Sequence, residues 1–178
     1  DDGYSHIAAQ LLRPLLARYN IELRCHLVSA DRKKNVPEPA LLARLSRYES
    51  QLVAPGYGLV FPDHPHEPDA RHVSLATCIL AAQSPQTFPE IAVAVGDALW
   101  SGDGARLNHL AEAHGRVGVE QTEAVVGAGT QLRRQMKHYS GAMFYYGGEW
   151  YWGADRFYLL EQRLAALGVD RYPERDLI

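Results

Sequence analysis

The segment 142–164 constrains the fold of this chain more than any other. It reads A-M-F-Y-Y-G-G-E-W-Y-W-G and runs without a linker into an amphipathic stretch headed by Asp155 and Arg156. Gly147 and Gly148 both tolerate the positive φ that a two-residue type I′ turn demands, so the sequence predicts a hairpin with Tyr145 opposite Trp150 and Met143 opposite Trp152. Phe144 and Tyr151 then share the other face. Large rings on both faces predict a sheet covered on both sides, between helix layers. The stretch that follows places Phe157, Leu160, Leu164 and Leu167 on one helical stripe and ends at Gly168, so strand, turn, strand and helix should pack as one unit.

The rest of the chain supports a single domain, 1–178. With 178 residues, 47% of them hydrophobic and 22% charged, it buries a sizeable core. A net charge of −3 gives no long-range attraction for nucleic acid or an anionic membrane, and the basic run Arg32, Lys33, Lys34 reads as a solvated loop. No stretch approaches the ~20 apolar residues needed to span a bilayer, and no cationic leader precedes an apolar run, which makes the cytoplasm the expected compartment. Cys25 and Cys78 lie far apart, with neither a C-x-x-C redox pair nor a zinc spacing, and read as two buried, unreactive thiols.

Residues 6–19 read as a helix with Ile7, Leu11, Leu12, Leu15, Leu16 and Tyr19 on its apolar side, Ser5 able to cap it and Pro14 kinking it. Residues 21–28 alternate Ile21, Leu23, Cys25 and Leu27 against Glu22, Arg24, His26 and Val28, which predicts a strand. A helix over 39–53 and a crossing loop over 55–69, with the apolar island Leu59, Val60, Phe61, come next. Four helices are expected at 70–82, 88–100, 105–114 and 120–139, separated by Ser84-Pro85, Gly102-Asp103-Gly104 and Gly115. The result is an α/β chain with a helical block between its strand-bearing ends.

Two motifs give this order a resemblance. The sequence W-Y-W-G-A-D-R-F, followed by Leu159, Leu160, Glu161 and Leu164, is similar to the W-G-x-D-R-L-x-x-L-E-x-x-L of the 2-hydroxychromene-2-carboxylate isomerase and kappa-class glutathione transferase family, a DsbA-like branch of the thioredoxin fold. Tyr4, Ser5, His6, Ile7 and Ala8 resemble the same family's S-P-[FY]-S-[YW]-L-A, and Leu59-Val60-Phe61-Pro62 resembles a loop that reaches its active site. The resemblance implies a thioredoxin part formed by 1–30 and 140–178 and a large helical insertion at about 70–139. It also implies a first β-strand upstream of residue 1, supplied by a longer or tandem polypeptide or by another segment or chain.

What the resemblance implies for chemistry is specific, and this chain departs from it twice. The family binds glutathione and holds its thiolate with a serine hydroxyl at the helix start; Asp2 falls in that serine's place and Gly3 in the proline's. A carboxylate only accepts hydrogen bonds, and at ~4 Å it repels a thiolate by about 4 kcal/mol at an effective dielectric of 20. Helix N-terminal amides offset part of this. Ser5 is the other candidate hydroxyl, its ordinary role being the N-cap. Before the hairpin, where the fold places a cis-proline, the chain reads Tyr139, Ser140, Gly141, Ala142, so the bond before Gly141 should be trans. Asp155 matches the family aspartate that contacts the γ-glutamyl amine, or serves as a first-turn carboxylate. Arg156 is placed to bridge to a carboxylate. Tyr4, Gly141, Trp152, Asp155 and Arg156 are thus the implied glutathione contacts, with Asp2 and Ser5 the catalytic candidates.

Asp63, His64, His66, Glu67, Asp69 and His72 have metal-ligand chemistry, but Pro65 and Pro68 keep them extended without an i, i+4 histidine pair, and no metal is expected. His109, His114 and His138 sit near helix ends. No P-loop, Rossmann or nucleophile-elbow pattern occurs. Two functions from different classes follow: a glutathione-dependent isomerase or transferase acting on an aromatic molecule over Tyr4, Trp152 and Asp155, or a non-catalytic thioredoxin-fold module. Its partners would be a small thiol or aromatic molecule, and a second copy or tandem domain.

Overall fold

The computed structural model describes residues 2–30, 38–63, 65–176 and 178; the basic run at Arg32–Lys34 and His64 lie outside them. The hairpin forms in the expected register. Strand β1 (Met143–Tyr146) pairs antiparallel with β2 (Glu149–Trp152), Met143 facing Trp152, Phe144 facing Tyr151 and Tyr145 facing Trp150. Gly147 and Gly148 have φ of 58° and 93°, the left-handed pair the turn requires. A 3-10 turn over Ala154–Arg156 then leads into α8 (Phe157–Ala166), so Asp155 and Arg156 lie just ahead of the helix rather than in its first turn. Phe157, Leu160 and Leu164 are buried as the stripe predicts, whereas Leu167, past the helix end, is exposed.

The first helical region divides where proline dictates. Helix α1 (Gly3–Gln10) and α2 (Leu12–Arg18) meet at Leu11, because Pro14 lacks the N–H that would reach Gln10 O one turn back. The helix starts earlier than 6–19. Its N-cap is Asp2, not Ser5: the Asp2 carboxylate accepts from Ser5 N–H, the N3 position of the cap geometry. Helices α3 (Pro39–Val53), α4 (Ala70–Ala81), α5 (Phe88–Trp100) and α6 (Gly104–His114) follow the sequence signals closely. Helix α7 (Val119–Gln135) stops short of 139, since Lys137 takes a left-handed φ of 59°.

Residues 21–28 are the main departure. They are extended, and Ile21, Leu23, Cys25 and Leu27 are half-buried against exposed Glu22, Arg24 and His26, so the alternation is real. Yet among the described residues the sheet has two strands, β1 and β2, and this segment joins no ladder. A ladder needs a neighbour at about 4.8 Å, and here a cavity of 540 Å³ separates the segment from β1.

Two cores hold the molecule. In one, Ile7, Leu11, Leu15, Tyr19, Phe61, Trp100, Tyr151, Phe157, Leu160 and Leu164 join α1, α2, the hairpin and α8. In the other, Ile79, Ile91, Val95, Ala98, Leu99 and Leu107 join α4, α5 and α6. Gly96 on α5 faces His6 on α1 so closely that a Cβ there would stand 2.1 Å from His6 Nδ1, which fixes the seam between the two parts. A buried ion cluster closes the far end: Arg18 donates to Asp170 at 2.9 Å and to the Arg175 carbonyl at 2.7 Å, and the Tyr19 hydroxyl donates to Glu161 at 3.1 Å. The Arg18 hydrogen bonds hold Asp170 below the usual carboxylate range, while burial pushes Glu161 above it.

Candidate functional site

The start of α1 meets the loop before β1. Ser5 Oγ donates to Asp2 Oδ2 at 2.5 Å, Ser5 N–H reaches the same oxygen at 3.2 Å, and Ala142 N–H donates back to Ser5 Oγ at 3.2 Å. Gly141 lies over the pair, where a Cβ would stand 3.1 Å from Asp2 Oδ2 and 3.3 Å from Ser5 Oγ. Asp2, Ser5 and Gly141, far apart in sequence, are therefore one cluster. The chemistry of that cluster is self-contained: the carboxylate sits where helix N-terminal amides favour an anion, and the serine hydroxyl spends its proton on Asp2 and a lone pair on Ala142.

The described backbone is trans throughout, the bond before Gly141 included. Ala142 instead takes a left-handed φ of 51°, unusual for a residue with a Cβ. That conformation aims its N–H at Ser5, and its carbonyl accepts from Gly153 N–H at 2.9 Å.

The other expected residues have different duties. The Tyr4 hydroxyl donates to Glu49 of α3, and burial first, then the Glu49 bond, push its pKa up, with the charges of Asp2 and Asp155 adding to the same shift. Asp155 pairs only loosely with Arg156, at 3.9 Å, and both side chains are more than half exposed, so the expected Arg156 bridge is made to its own neighbour. Trp152 belongs to the outer face of the hairpin. Its ring meets His138 and Tyr139 edge-on, and His138 also packs on Trp150, whose Nε1 donates to Met136 O. Burial, with the Arg133 charge second, keeps the His138 ring below its ordinary pKa.

A cavity of 760 Å³ opens beside the cluster, between α1 and the helical block. Asp2, Ser5 and His6 supply polar groups, and Phe88, Trp100 and Phe144 supply aromatic walls. His6 has no periodic signal that would single it out in the sequence. It is buried, with Nε2 3.2 Å from Asp97 Oδ1, and packs on Phe61, whose ring in turn lies tilted against Trp100. Cys25 also lines this cavity, and burial pushes its thiol up to about 11, a protonated and unreactive state at neutral pH. Cys78 accepts from the Thr122 hydroxyl at 3.3 Å, and both cysteines are free thiols.

The histidine- and acid-rich loop has structural duties in its described part. Asp69 caps α4, His66 and His72 lie against Gly102 and Gly104, and Glu67 faces Arg47 at 3.6 Å. Among the described residues no group of three His, Cys, Asp or Glu side chains converges, and no helix is long and apolar enough to cross a membrane.

A hairpin and closing helix at one end, an opening helix capped beside the pre-hairpin loop, and a helical block inserted between them define a DsbA-like thioredoxin fold with a large helical insertion. The solved selenomethionine form of 2-hydroxychromene-2-carboxylate isomerase (HCCA isomerase) has this fold. It superimposes on 93% of this chain and 91% of its own with a TM-score of 0.63, at 19% sequence identity. No family model and no curated protein matches the sequence.

Proposed function

We propose that the protein binds an aromatic small molecule in the cavity beside α1, as an HCCA isomerase-like thioredoxin-fold protein whose thiolate position is held by its own Asp2. The observation that carries this reading is the Asp2–Ser5–Ala142 arrangement. A glutathione thiolate at the start of α1 needs a donor aimed at sulfur, and these residues fit it poorly: the Ser5 proton points to Asp2, the Ala142 N–H is taken, and the nearest oxygen is a carboxylate. Repulsion of about 4 kcal/mol at 4 Å corresponds to about a thousandfold in affinity, partly offset by the helix N-terminus. No thiolate chemistry is therefore assigned to this site. The aromatic walls at Phe88, Trp100 and Phe144 match a planar apolar ligand.

The second reading, a non-catalytic module, draws on a separate feature. Helix α3 exposes Leu41, Leu45, Tyr48 and Leu52 along one stripe, a surface that a second copy or a tandem domain would cover. A cytoplasmic setting belongs to either reading.

Calorimetry with glutathione on the wild type and Asp2→Ser tests the Asp2 assignment. Serine keeps the helix cap and restores a donor, so wild-type binding should be weak or absent near pH 7 and the variant measurably tighter. Tight wild-type binding that Asp2→Ser leaves unchanged or weakens would overturn it. Absence of binding in both proteins, with no aromatic compound entering the cavity, would leave the module reading in possession.

A further inference from the structure

Helix α3 is amphipathic with its faces reversed. Ser46 and Ser50 are buried, and neither hydroxyl has a hydrogen-bond partner among the described residues, while Leu41, Leu45, Tyr48 and Leu52 keep 47% to 60% of their surface exposed. The orientation is fixed from behind. Ser50 lies so close to Gly3 of α1 that a Cβ there would stand 2.5 Å from Ser50 Oγ, and Glu49 accepts from the Tyr4 hydroxyl. Rolling the leucines inward would break both contacts. Yet two unpaired buried hydroxyls and a stripe of large apolar side chains in water are costly for a lone subunit.

The exposed face has the spacing of a coiled-coil seam. Leu41, Leu45, Tyr48 and Leu52 follow one another at four, three and four residues, the d-a-d-a order of two heptads, with Ser46 and Ser50 at b and f on the far side. Arg44 then occupies g and Glu49 the following e. In a parallel pair the g residue of one helix meets the e residue five positions later on its partner, so an identical helix sets Arg44 against Glu49 twice. An antiparallel pair brings e against e and g against g, which sets Glu49 against Leu42 and Arg44 against Gln51, and no opposite charges meet. Arg44 is exposed with no ion pair among the described residues, and Glu49 holds Tyr4 through Oε2, which leaves Oε1 to accept.

We propose that α3 is a dimerisation helix. It packs parallel to α3 of a second copy of this chain about a two-fold axis along the seam, each of Leu41, Leu45, Tyr48 and Leu52 meeting its own counterpart and Arg44 pairing with Glu49 of the partner subunit. The occupant is a second copy because the pattern complements itself, as an isologous interface requires of one surface in both shape and charge. A seam of four layers falls short of the about 20–30 residues a side of a standard interface, so the dimer forms reversibly at about micromolar concentrations.

This interface reaches the start of α1. Glu49 holds the Tyr4 hydroxyl, so an ion pair with Arg44 of the partner subunit fixes the same carboxylate from its other side and steadies the residue that precedes Ser5. The dimer takes up the exposed stripe of the second reading and commits it to one occupant. It holds whether or not the domain is catalytic, which glutathione and aromatic-ligand binding decide separately.

Sedimentation equilibrium from about 1 to about 500 µM compares the wild type with Leu45→Glu, which would set one carboxylate against its twin inside the seam. The expected result is a reversible monomer–dimer equilibrium for the wild type and association at least about tenfold weaker for the variant, whose urea midpoint below the association range stays unchanged. Arg44→Glu should also weaken association, by placing like charge against Glu49; unchanged association would overturn the ion pair. Leu41→Cys reads the orientation: on mild oxidation a parallel seam holds the two introduced thiols at disulfide distance, whereas an antiparallel one separates them by about 16 Å, eleven residues at about 1.5 Å each. Dimerisation without that cross-link would overturn the parallel pairing. A wild type still monomeric at about 500 µM would overturn the proposal, as would a dimer that Leu45→Glu leaves intact. A monomeric wild type that Leu45→Glu destabilises would assign the cover of the stripe to this chain itself and overturn it too.

Discussion

Replacing Asp2 by alanine should destabilise the whole domain. Its carboxylate accepts both Ser5 N–H, at 3.2 Å, and Ser5 Oγ–H, at 2.5 Å. Losing an N-cap acceptor costs about 1 kcal/mol, and losing a negative charge at a helix N-terminus costs about 0.3–1 kcal/mol more. The sum, about 1.3–2 kcal/mol, corresponds to a fall in Tm of about 3–8 °C for a chain of this size. Asp2→Asn keeps the acceptor and loses the charge, so its loss should be about a third of that, and Asp2→Ser, which likewise keeps a cap acceptor and loses the charge, should lose about as much. Thermal unfolding followed by circular dichroism, in low and high salt, separates the contributions, since only the charge is screened. If Asp2→Ala unfolds with the wild type, the cap is not made. If Asn is as damaging as Ala, the carboxylate acts by charge, and the hydrogen-bond account of the site is wrong.

Gly96→Ala should cost about 1–2 kcal/mol in urea titrations, overpacking against His6 exceeding the gain in helix propensity, and the cost should vanish when His6→Ala is added in a double-mutant cycle. Ala142→Gly should stabilise by about 0.5–1 kcal/mol, because glycine takes the left-handed φ without strain and loses only part of that gain to unfolded-state entropy. Asp170, depressed by its Arg18 hydrogen bonds, contributes stability that is present above the ordinary carboxylate pKa of about 3.9 and lost as pH falls through its lower folded value. Asp170→Asn should therefore flatten the acid limb of a stability–pH curve; an unchanged limb would place the acid sensitivity elsewhere. Glu161, raised by burial, has the opposite sign, its contribution being lost as pH climbs through the raised folded value.

Local chemistry made much of this molecule legible from sequence. The turn at Gly147-Gly148 imposed the hairpin register because two adjacent residues without Cβ atoms allow few alternatives, and helices α3 to α6 follow from apolar periodicity and from caps that act within one turn. The fold class was legible through the order of those elements and the tryptophan-rich motif ahead of α8. Tertiary structure decided what depends on neighbours distant in the chain. Alternation made 21–28 extended and chose its buried side, but a ladder needs a second backbone at bonding distance, and none of the described residues supplies one. Asp2 and Ser5 were legible as residues of the helix start; that Ser5 donates to Asp2 and accepts from Ala142 depends on the approach of a loop some 140 residues later in the chain. His6 stood in the sequence only as one position of the N-terminal motif; its burial acquires meaning from the glycine and aspartate that α5 brings and the Phe61 ring of the crossing loop. Sequence alone determines conformations that one turn of chain can enforce; pairing across an edge, burial of a polar ring and closure of a hydrogen-bond circuit belong to the packed fold, because their partners are fixed only by packing.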